Sequence, residues 1–571
     1  MNLPRPAIVA QAAVRRLPRA ALLLVCAVYV IAGFVGRAPW RNADIAAFGL
    51  MAELAAGSTG WRDPRLMDEP PEVGAHLPYW AGAVAIRLAP AWLPTDLAVR
   101  LPFALMLVMA LVATWYAVYH LARHPEAQPV AFAFGGEARP TDYARALADG
   151  ALLALIACLG LAQLAHETTP AVAQLAAAAV VFFGLSAAPA RPWPALGASA
   201  AGLPALALSG APVIATGLGL GALLLVLANR RARTSDTDPT QAGWLAIAGP
   251  LIGLAAIAWL GTELPLWAWR LEGLPDTYAQ WRSLGRLFLW FTWPAWPLVL
   301  WTLWHWRRQL RHVWTRPHLA LPLWLIAWTG STAVLGPGSD RALLVGLPAF
   351  AALAAFALPT LGRSIAALVD WFTLLFFSGC AFVIWVIWIA MQTGFPSKPA
   401  ANVARLAPGF EPSFSALPFL LALAATLLWV GLVRWRAGRH RAAIWKSLVL
   451  PAGGAVLCWL LLMSLWLPLL DYARSHTATM RRVSEVIGTT ACVKVHGLGA
   501  GEITALRHHA RLTLRHAHAR EACDWLVTVP EYAAQVEESR VPEAWTEAAR
   551  IERPTDRRDV LLVYRRAPAQ P

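Results

Sequence analysis

The sequence has few charged side chains and very little lysine. Asp, Glu, Lys and Arg make up 14% of its 571 residues, whereas soluble domains carry about a quarter. The only lysines are Lys398, Lys446 and Lys494, and the arginines do not form one contiguous basic patch. A nucleic-acid-binding protein would need such a patch. The composition therefore excludes both an ordinary soluble multidomain protein and a typical nucleic-acid-binding protein.

Long apolar runs account for most of the chain. Hydrophobic residues make up 58% of the sequence, and the mean hydropathy is +0.51. Runs of about 17 to 25 apolar residues recur along the chain, which is the length needed to cross the hydrocarbon core of a bilayer. Many tryptophans stand at the ends of these runs, where an amphipathic ring prefers the headgroup zone. The sequence thus predicts an α-helical polytopic membrane protein.

Arginine clusters determine the predicted number of spans. One cluster precedes the first apolar run and another precedes the last, so the positive-inside rule places both in the cytoplasm and makes the number of spans odd. Fourteen segments compete, and 77–93 is the weakest because it is short, contains Arg87 and meets Pro90. We interpret it as an interfacial segment. The two clusters are Arg15, Arg16 and Arg19, and Arg434, Arg436, Arg439 and Arg441.

Removing that segment leaves thirteen predicted spans and two polar regions outside. The first region is a loop at 37–100, within which 45–56 has the pattern of a short helix on the membrane surface. The second region is a C-terminal α/β domain at 471–571, which follows a transmembrane domain at 1–470. The predicted spans are 20–36, 101–122, 147–165, 171–188, 194–209, 212–229, 243–261, 286–305, 319–336, 342–360, 366–391, 416–433 and 447–469.

The C-terminal domain is predicted to alternate between strands and a helix. Of the six cysteines, only Cys492 and Cys523 lie in this domain, each at the start of a predicted strand. In an oxidising compartment they are expected to form a disulfide; the alternative is a pair of buried free thiols. The predicted elements are strands at 491–495, 511–514, 525–529 and 560–564 and a helix at 501–510.

An ordered series of short motifs runs through the first four hundred residues. The motifs are Trp40-Arg41-Asn42-Ala43-Asp44-Ile45, His76-Leu77-Pro78-Tyr79-Trp80, Arg100-Leu101-Pro102, Leu208-Ser209-Gly210-Ala211-Pro212 and Leu347-Pro348. In these motifs the chain resembles the C-type integral-membrane glycosyltransferases (GT-C), and within them the bacterial branch that contains lipid A aminoarabinose transferases and is related to protein O-mannosyltransferases. The large first outer loop, about thirteen helices and a C-terminal α/β domain belong to the same resemblance.

The resemblance implies a reaction and a location. The donor would be a sugar on undecaprenyl phosphate or another polyprenyl phosphate, and the acceptor a lipid A-like glycolipid, another glycan or a protein. Transfer would take place at the periplasmic face of a bacterial inner membrane, with the N-terminus in the cytoplasm and the C-terminal domain in the periplasm. No metal, nucleotide or other cofactor is expected, and the other partners are membrane lipids.

The resemblance also implies the site residues. Asp44 is the predicted general base and Glu167 a supporting acid, although Ile45 follows Asp44 where the family usually has a second acidic residue, and Ser209 replaces a lysine. The predicted substrate-binding residues are Arg41, His76, Tyr79, Trp80, Arg100, His166 and Arg341.

These residues also have alternative interpretations. Asp44 directly precedes a helical stretch, so it also suits a helix cap, and Arg100 and Arg341 suit anchors for lipid headgroups. His166 and Glu167 suit a solvent-exposed helix end, and Tyr79 and Trp80 suit interfacial anchors. At the level of function, the alternatives are a catalytically degenerate relative that binds lipid or assists assembly, and a transporter, for which few polar mid-span residues are present.

Overall fold

The computed structural model describes residues 7–67, 69–232, 241–267, 273–336, 339–438, 443–488, 491–538 and 545–567. Two members of the last arginine cluster, Arg439 and Arg441, lie outside these residues. The described chain forms a helical bundle followed by a small α/β unit, as the sequence predicts. Nine described helical segments are long and apolar enough to cross a membrane, in keeping with a multi-pass membrane protein.

Two short helices lie between the first two long ones. The four N-terminal helices are α1 (Arg19–Phe34), α2 (Ala43–Ala56), α3 (Leu77–Leu88) and α4 (Thr95–Ala122). α2 matches the predicted surface helix and ends at Gly57, whose left-handed φ of 78° closes it. The twelve residues of α3 extend over about 18 Å. This length is too short to cross the hydrocarbon core, so α3 agrees with the predicted interfacial segment.

The rest of the bundle follows the predicted spans. Each of the thirteen predicted segments overlaps one helix or a pair of consecutive helices. These helices are α5 (Pro140–Ala157), α6 (Leu159–Leu164), α7 (Pro170–Ala187), α8 (Pro192–Leu208), α9 (Pro212–Ala232), α10 (Gln241–Glu263), α11 (Tyr278–Phe291), α12 (Ala295–His305), α13 (Arg307–Leu310), α14 (Pro317–Leu335), α15 (Ser339–Ala357), α16 (Arg363–Thr393), α17 (Ser397–Leu406), α18 (Ala416–Ala437), α19 (Val449–Leu465), α20 (Leu467–Arg474) and α21 (Thr477–Ile487).

Three predicted spans are interrupted, one between α5 and α6, one between α11 and α12, and one between α19 and α20. The first two interruptions face each other, because the backbone N–H of Leu159 donates to the carbonyl of Trp293 at 3.1 Å. The ring of Phe291 packs directly against Gly160. Irregular backbone at membrane depth is tolerated where protein surrounds it. The interrupted backbone at each break therefore packs against the other break.

α15 lies at the centre of the bundle. Every residue from 342 to 357 is buried, and this stretch is rich in alanine. Small side chains let neighbouring helices approach closely within a membrane. By contrast, α10, α16 and α18 leave most of their surface exposed. These helices therefore form the lipid-facing periphery.

The C-terminal unit is a five-stranded sheet with two helices. Its elements are β1 (Cys492–His496), α22 (Ala500–His508), β2 (Thr513–His516), β3 (Trp525–Thr528), α23 (Pro530–Glu538), β4 (Trp545–Arg553) and β5 (Asp556–Arg566). The strand order is β2-β1-β3-β5-β4; β1 is parallel to β2 and β3, and β5 is antiparallel to β3 and β4. The predicted strands correspond to β1, β2, β3 and β5, and the predicted helix to α22. α23 and β4 are not predicted.

Cys492 and Cys523 form the predicted disulfide, with their Cα atoms 5.2 Å apart. The bridge joins the first residue of β1 to the loop that precedes β3. Since β1 and β3 are neighbours in the sheet, the bridge closes a loop of chain around β2. The four remaining cysteines are free and lie in the helical bundle.

The C-terminal unit packs on α2 through α22. Thr504 lies so close to Gly49 that a Cβ atom there would be 2.0 Å from its hydroxyl oxygen. Arg507 forms an ion pair with Glu53, and the rings of Phe48 and His508 meet edge to face at 4.6 Å. The sheet unit is thus held against the first outer loop.

Candidate active site

The loop at 37–100 begins directly after α1 with a buried arginine. The guanidinium of Arg37 donates to the carbonyl of Gly33 at 3.1 Å and to the carbonyl of His166 at 2.6 Å. Its third nitrogen lies 3.1 Å from the carboxylate of Asp44, and both side chains are only 2% exposed. Arg37 therefore connects the end of α1, the start of α2 and the turn between α6 and α7.

The Asp44 carboxylate has four close neighbours. Oδ1 accepts hydrogen bonds from the backbone N–H and the hydroxyl of Thr168, both at 2.7 Å. Oδ2 accepts from the backbone N–H of Trp40 at 3.0 Å and forms the ion pair with Arg37. Burial alone would raise the pKa of Asp44, but the Arg37 charge and these hydrogen bonds outweigh it and hold the pKa below its ordinary value. Three hydrogen bonds therefore use most of the roughly four lone-pair sites of the carboxylate, and the ion pair with Arg37 supplies the fourth contact.

Glu167 is the neighbouring carboxyl group and has the opposite character. It lies in the turn between α6 and α7 and is partly exposed, and Oε1 accepts a hydrogen bond from the side chain of Gln163 at 3.0 Å. Burial, reinforced by the negative charge of Asp44, raises the pKa of Glu167 to about 7. Two carboxyl groups in one site commonly have their pKa values pushed apart in this way. Glu167 is therefore able to exchange a proton near neutral pH.

The structure places His166 and Arg100 inside packed protein. Both ring nitrogens of His166 face backbone carbonyls, those of Ala162 and Tyr29, and the residue is 1% exposed. Burial lowers the pKa of His166 to about 4. Arg100 is 3% exposed, donates to the carbonyl of Phe34 and pairs with a carboxylate one turn earlier in α4. Both side chains are thus largely enclosed by protein, and their predicted substrate contacts stay predictions.

Two adjoining cavities lie beside this cluster, one of about 340 Å³ and one of about 640 Å³. They share the wall formed by residues 70–73, Gln174 and Arg341. Tyr79 lines the smaller cavity and His76 the larger. Pro170 and Ala171, which follow the Glu167 turn, also line the smaller cavity. Three predicted substrate-binding residues, His76, Tyr79 and Arg341, are therefore cavity residues.

The polar atoms of these three residues are only partly used. The hydroxyl of Tyr79 donates to the carbonyl of Val73 at 3.2 Å. Nε2 of His76 contacts the carbonyl of Arg62 at 3.0 Å, whereas its buried Nδ1 has no hydrogen-bond partner among the described residues. Arg341 faces Glu72 at 3.5 Å, but that carboxylate is 73% exposed, so the pair is weak. Of these groups, the guanidinium of Arg341 is partly exposed, whereas Nδ1 of His76 lies buried behind the cavity wall.

The last two predicted substrate-binding residues lie away from both cavities. The indole N–H of Trp80 donates to the carbonyl of Trp61 at 2.8 Å and so fixes the outer loop. Arg41 is 40% exposed and lies 3.5 Å from Asp556 of the C-terminal unit. Arg41 and Trp80 therefore stabilise the loop in this structure instead of lining the cavities.

The sequence did not single out three residues that complete the charged cluster. Arg37 follows α1 directly, which is the one positional signal that points to it. Thr168 is an unremarkable residue in a turn. Asp471 accepts hydrogen bonds from the backbone of Ala38 and the indole of Trp40, at 3.0 and 2.7 Å. No cluster of three His, Cys, Asp or Glu side chains suited to a metal ion occurs in the described part of the chain.

The fold is similar to two crystal structures of ArnT from Cupriavidus metallidurans. The apo structure has a TM-score of 0.58 and 16% sequence identity, over 95% of this chain and 98% of that chain. The structure bound to undecaprenyl phosphate has a TM-score of 0.54 and 15% identity, over 96% of this chain and 98% of that chain. No protein-family model and no curated sequence matches the chain. The similarity confirms the predicted fold class, a GT-C fold over nearly the whole chain.

Proposed function

We propose that this membrane protein is a glycosyltransferase that moves a sugar from a polyprenyl phosphate to an acceptor on the outer face of the membrane. The observation that carries the proposal is the pair of cavities, the smaller of which is lined by Pro170 and Ala171. These two residues directly follow the turn that contains Glu167, a carboxyl group whose pKa is raised to about 7, although Glu167 itself lines neither cavity. An ArnT structure with the same fold holds undecaprenyl phosphate. An undecaprenyl-phosphate sugar is the donor that we propose for this chain.

The proposed reaction is a displacement at the anomeric carbon. A hydroxyl or amine of the acceptor attacks this carbon, the bond from the carbon to the phosphate oxygen breaks, and polyprenyl phosphate leaves with the electron pair. Glu167 accepts the proton that the nucleophile loses, as a base with a pKa near the working pH does best. The donor already carries its leaving group, so the reaction requires no nucleotide, metal or other cofactor.

Arg341 is the proposed phosphate contact. It lies in the wall common to both cavities, and its partner Glu72 is mostly exposed. Guanidinium groups form strong charge-assisted hydrogen bonds with phosphate oxygens, and this charge would stabilise the departing polyprenyl phosphate. His76 and Tyr79 are the proposed contacts for the sugar, because they line the same pair of cavities.

Asp44, the base predicted from the sequence, has a different role in this proposal. Its carboxylate accepts three hydrogen bonds and pairs with Arg37, and its pKa is held below the ordinary value, so it is a poor proton acceptor near neutral pH. Glu167 takes the base role instead. The acceptor class is a lipid A-like glycolipid, another glycan or a protein, on the periplasmic face of a bacterial inner membrane.

Mass spectrometry of outer-surface glycolipids and glycoproteins tests the function. Cells with the gene should contain a glycosylated product that cells without it lack. Glu167→Gln should reduce that product about a hundredfold or more, because general-base catalysis contributes roughly 10² to 10⁴ in rate. Glu485→Gln is the matched control, since Glu485 is 66% exposed on α21, and it should give wild-type product.

Three results would contradict the proposal. Identical glycans with and without the gene, combined with binding of undecaprenyl phosphate by the purified protein, would identify a non-catalytic lipid-binding relative. Uptake of solute by sealed vesicles without any new glycan would identify a transporter. Full product from the Glu167→Gln variant would remove Glu167 from the mechanism.

A further inference from the structure

The backbone on both sides of Glu167 is hydrogen-bonded to buried charged side chains. On the preceding side, the carbonyl of His166 accepts a hydrogen bond from Arg37 at 2.6 Å. On the following side, the N–H and the hydroxyl of Thr168 both donate to Asp44 at 2.7 Å. Arg37 and Asp44 are in turn paired at 3.1 Å. The bonds form a closed circuit through the residues on either side of Glu167.

The circuit is strong because water is excluded from it. The side chains of Arg37 and Asp44 are 2% exposed, and Thr168 is 3% exposed. Hydrogen bonds to ionised groups are shorter and stronger than neutral ones, and a low local dielectric strengthens them further. Arg37 is itself fixed by the carbonyl of Gly33 at the end of α1. The turn therefore has little freedom to move relative to α1 and α2.

We propose that the buried Arg37–Asp44 pair is a clamp that fixes the turn 166–168 and thereby positions Glu167 as the proton acceptor. The proposal rests on the proposed function, in which Glu167 is the base. Arg37, Asp44 and Thr168 are then positioning residues, because they act through the backbone on either side of Glu167. This accounts for an acidic residue in the first loop whose own carboxylate accepts three hydrogen bonds and pairs with a buried arginine.

Thr168→Val tests the clamp with the least disturbance. Valine has nearly the same shape and removes only the hydroxyl bond to Asp44, while the bond from the backbone N–H and both charges remain. A base displaced by about 1 Å can lose roughly a hundredfold in rate, so we expect a tenfold to hundredfold fall in kcat with little change in KM. Thr168→Ser, which keeps the hydroxyl, should restore most of the rate.

A double variant separates positioning from general stability. If the clamp acts through Glu167, adding Thr168→Val to Glu167→Gln should not lower the residual activity further, because coupled residues are not additive. Thr373→Val is the matched control, since Thr373 is buried in α16 and its hydroxyl bonds only within its own helix. It should leave kcat unchanged. Additive losses in the double variant would overturn the clamp.

Hydrogen exchange of the turn tests the clamp without any activity. Backbone amides near 165–169 should exchange at least tenfold faster in Thr168→Val than in wild type, and no faster in Thr373→Val. Unchanged exchange at the turn would overturn the clamp even in an active enzyme. If the wild-type protein transfers no sugar but the turn loosens as expected, the proposed function alone fails and the clamp stands as a structural device.

Discussion

Asp44 and Glu167 show how the surroundings of two carboxyl groups assign them different roles. An arginine and three hydrogen bonds surround the first and hold its pKa low. The second is half-buried beside that negative charge, and its pKa is raised to about 7. The sequence places an acidic residue at each position, but their opposite electrostatics depend on Arg37 and Thr168. Residue identity therefore locates the carboxyl groups, whereas folding decides which of them titrates near neutral pH.

The pH dependence of sugar transfer should report the pKa of Glu167. Below about pH 7 the carboxyl group is protonated and cannot accept a proton, so the rate should rise as the pH increases through this value. The charge of Asp44 contributes to the raised pKa, so Asp44→Asn should lower the pKa of Glu167 and move the rise to lower pH. Initial rates measured across neutral pH would check both directions.

The control for this profile is Glu485→Gln, which removes an exposed carboxylate and should leave the rise in place. The maximal rate of Asp44→Asn should also fall, because the variant weakens the clamp. A profile that keeps its position in Asp44→Asn, or moves to higher pH, would show that the charge of Asp44 does not act on the base.

At the level of helices, hydrophobic runs predicted which segments form the bundle but not where three of them break. The run length identifies apolar segments that match the hydrocarbon core, and every predicted span has a helical counterpart. The breaks between α5 and α6 and between α11 and α12 are stabilised by each other, through the bond from Leu159 to Trp293. Since this contact joins distant segments, neither run alone carries a signal for it.

Substitution at Gly160 should disrupt the contact between the break at α5 and α6 and the break at α11 and α12. A Cβ atom added there would lie 2.3 Å from the ring of Phe291, which is itself buried in the bundle. Overpacking of this kind costs roughly 1 to 3 kcal/mol, so Gly160→Ala should lower the melting temperature of the detergent-solubilised protein. Thermal unfolding followed by size-exclusion chromatography would measure the change.

Gly379→Ala is the matched control, because Gly379 lies in α16 with open space around its Cβ position. It should leave the melting temperature unchanged or raise it slightly, since alanine favours helix more than glycine does. Equal melting temperatures for Gly160→Ala and wild type would show that the two breaks do not pack as described.

Across the whole molecule, the predicted site was partly recovered. Two of the predicted residues, Tyr79 and Arg341, share the wall of the smaller cavity although they lie far apart in the chain. The family resemblance implied both of them, through short motifs at separate places in the chain. The pairing of Asp44 with Thr168 spans 124 positions and depends on how α2 packs against the turn before α7. No spacing within one segment reveals such a contact.

Cysteine labelling would test the proposed orientation of the chain. Arg307 is an exposed residue at the start of α13, and Glu521 lies in an exposed loop of the C-terminal unit. If the C-terminal unit is periplasmic, Glu521→Cys should react with a membrane-impermeant maleimide in intact spheroplasts. Arg307→Cys should react only after the membrane is permeabilised. The reverse pattern, or reaction of both sites in intact spheroplasts, would contradict the proposed sidedness.

The hydrogen bonds of Asp471 have a consequence for how the protein folds during its synthesis. This residue lies in α20 and accepts hydrogen bonds from Ala38 and Trp40 in the first loop. The two ends of the bundle can therefore be joined only after both segments have been synthesised. A ribosome delivers the first loop to the translocon long before α20 emerges. The loop must therefore wait for its contact with Asp471 through the synthesis of more than four hundred residues, and a nascent chain terminated before α20 would lack this connection between the two ends of the bundle.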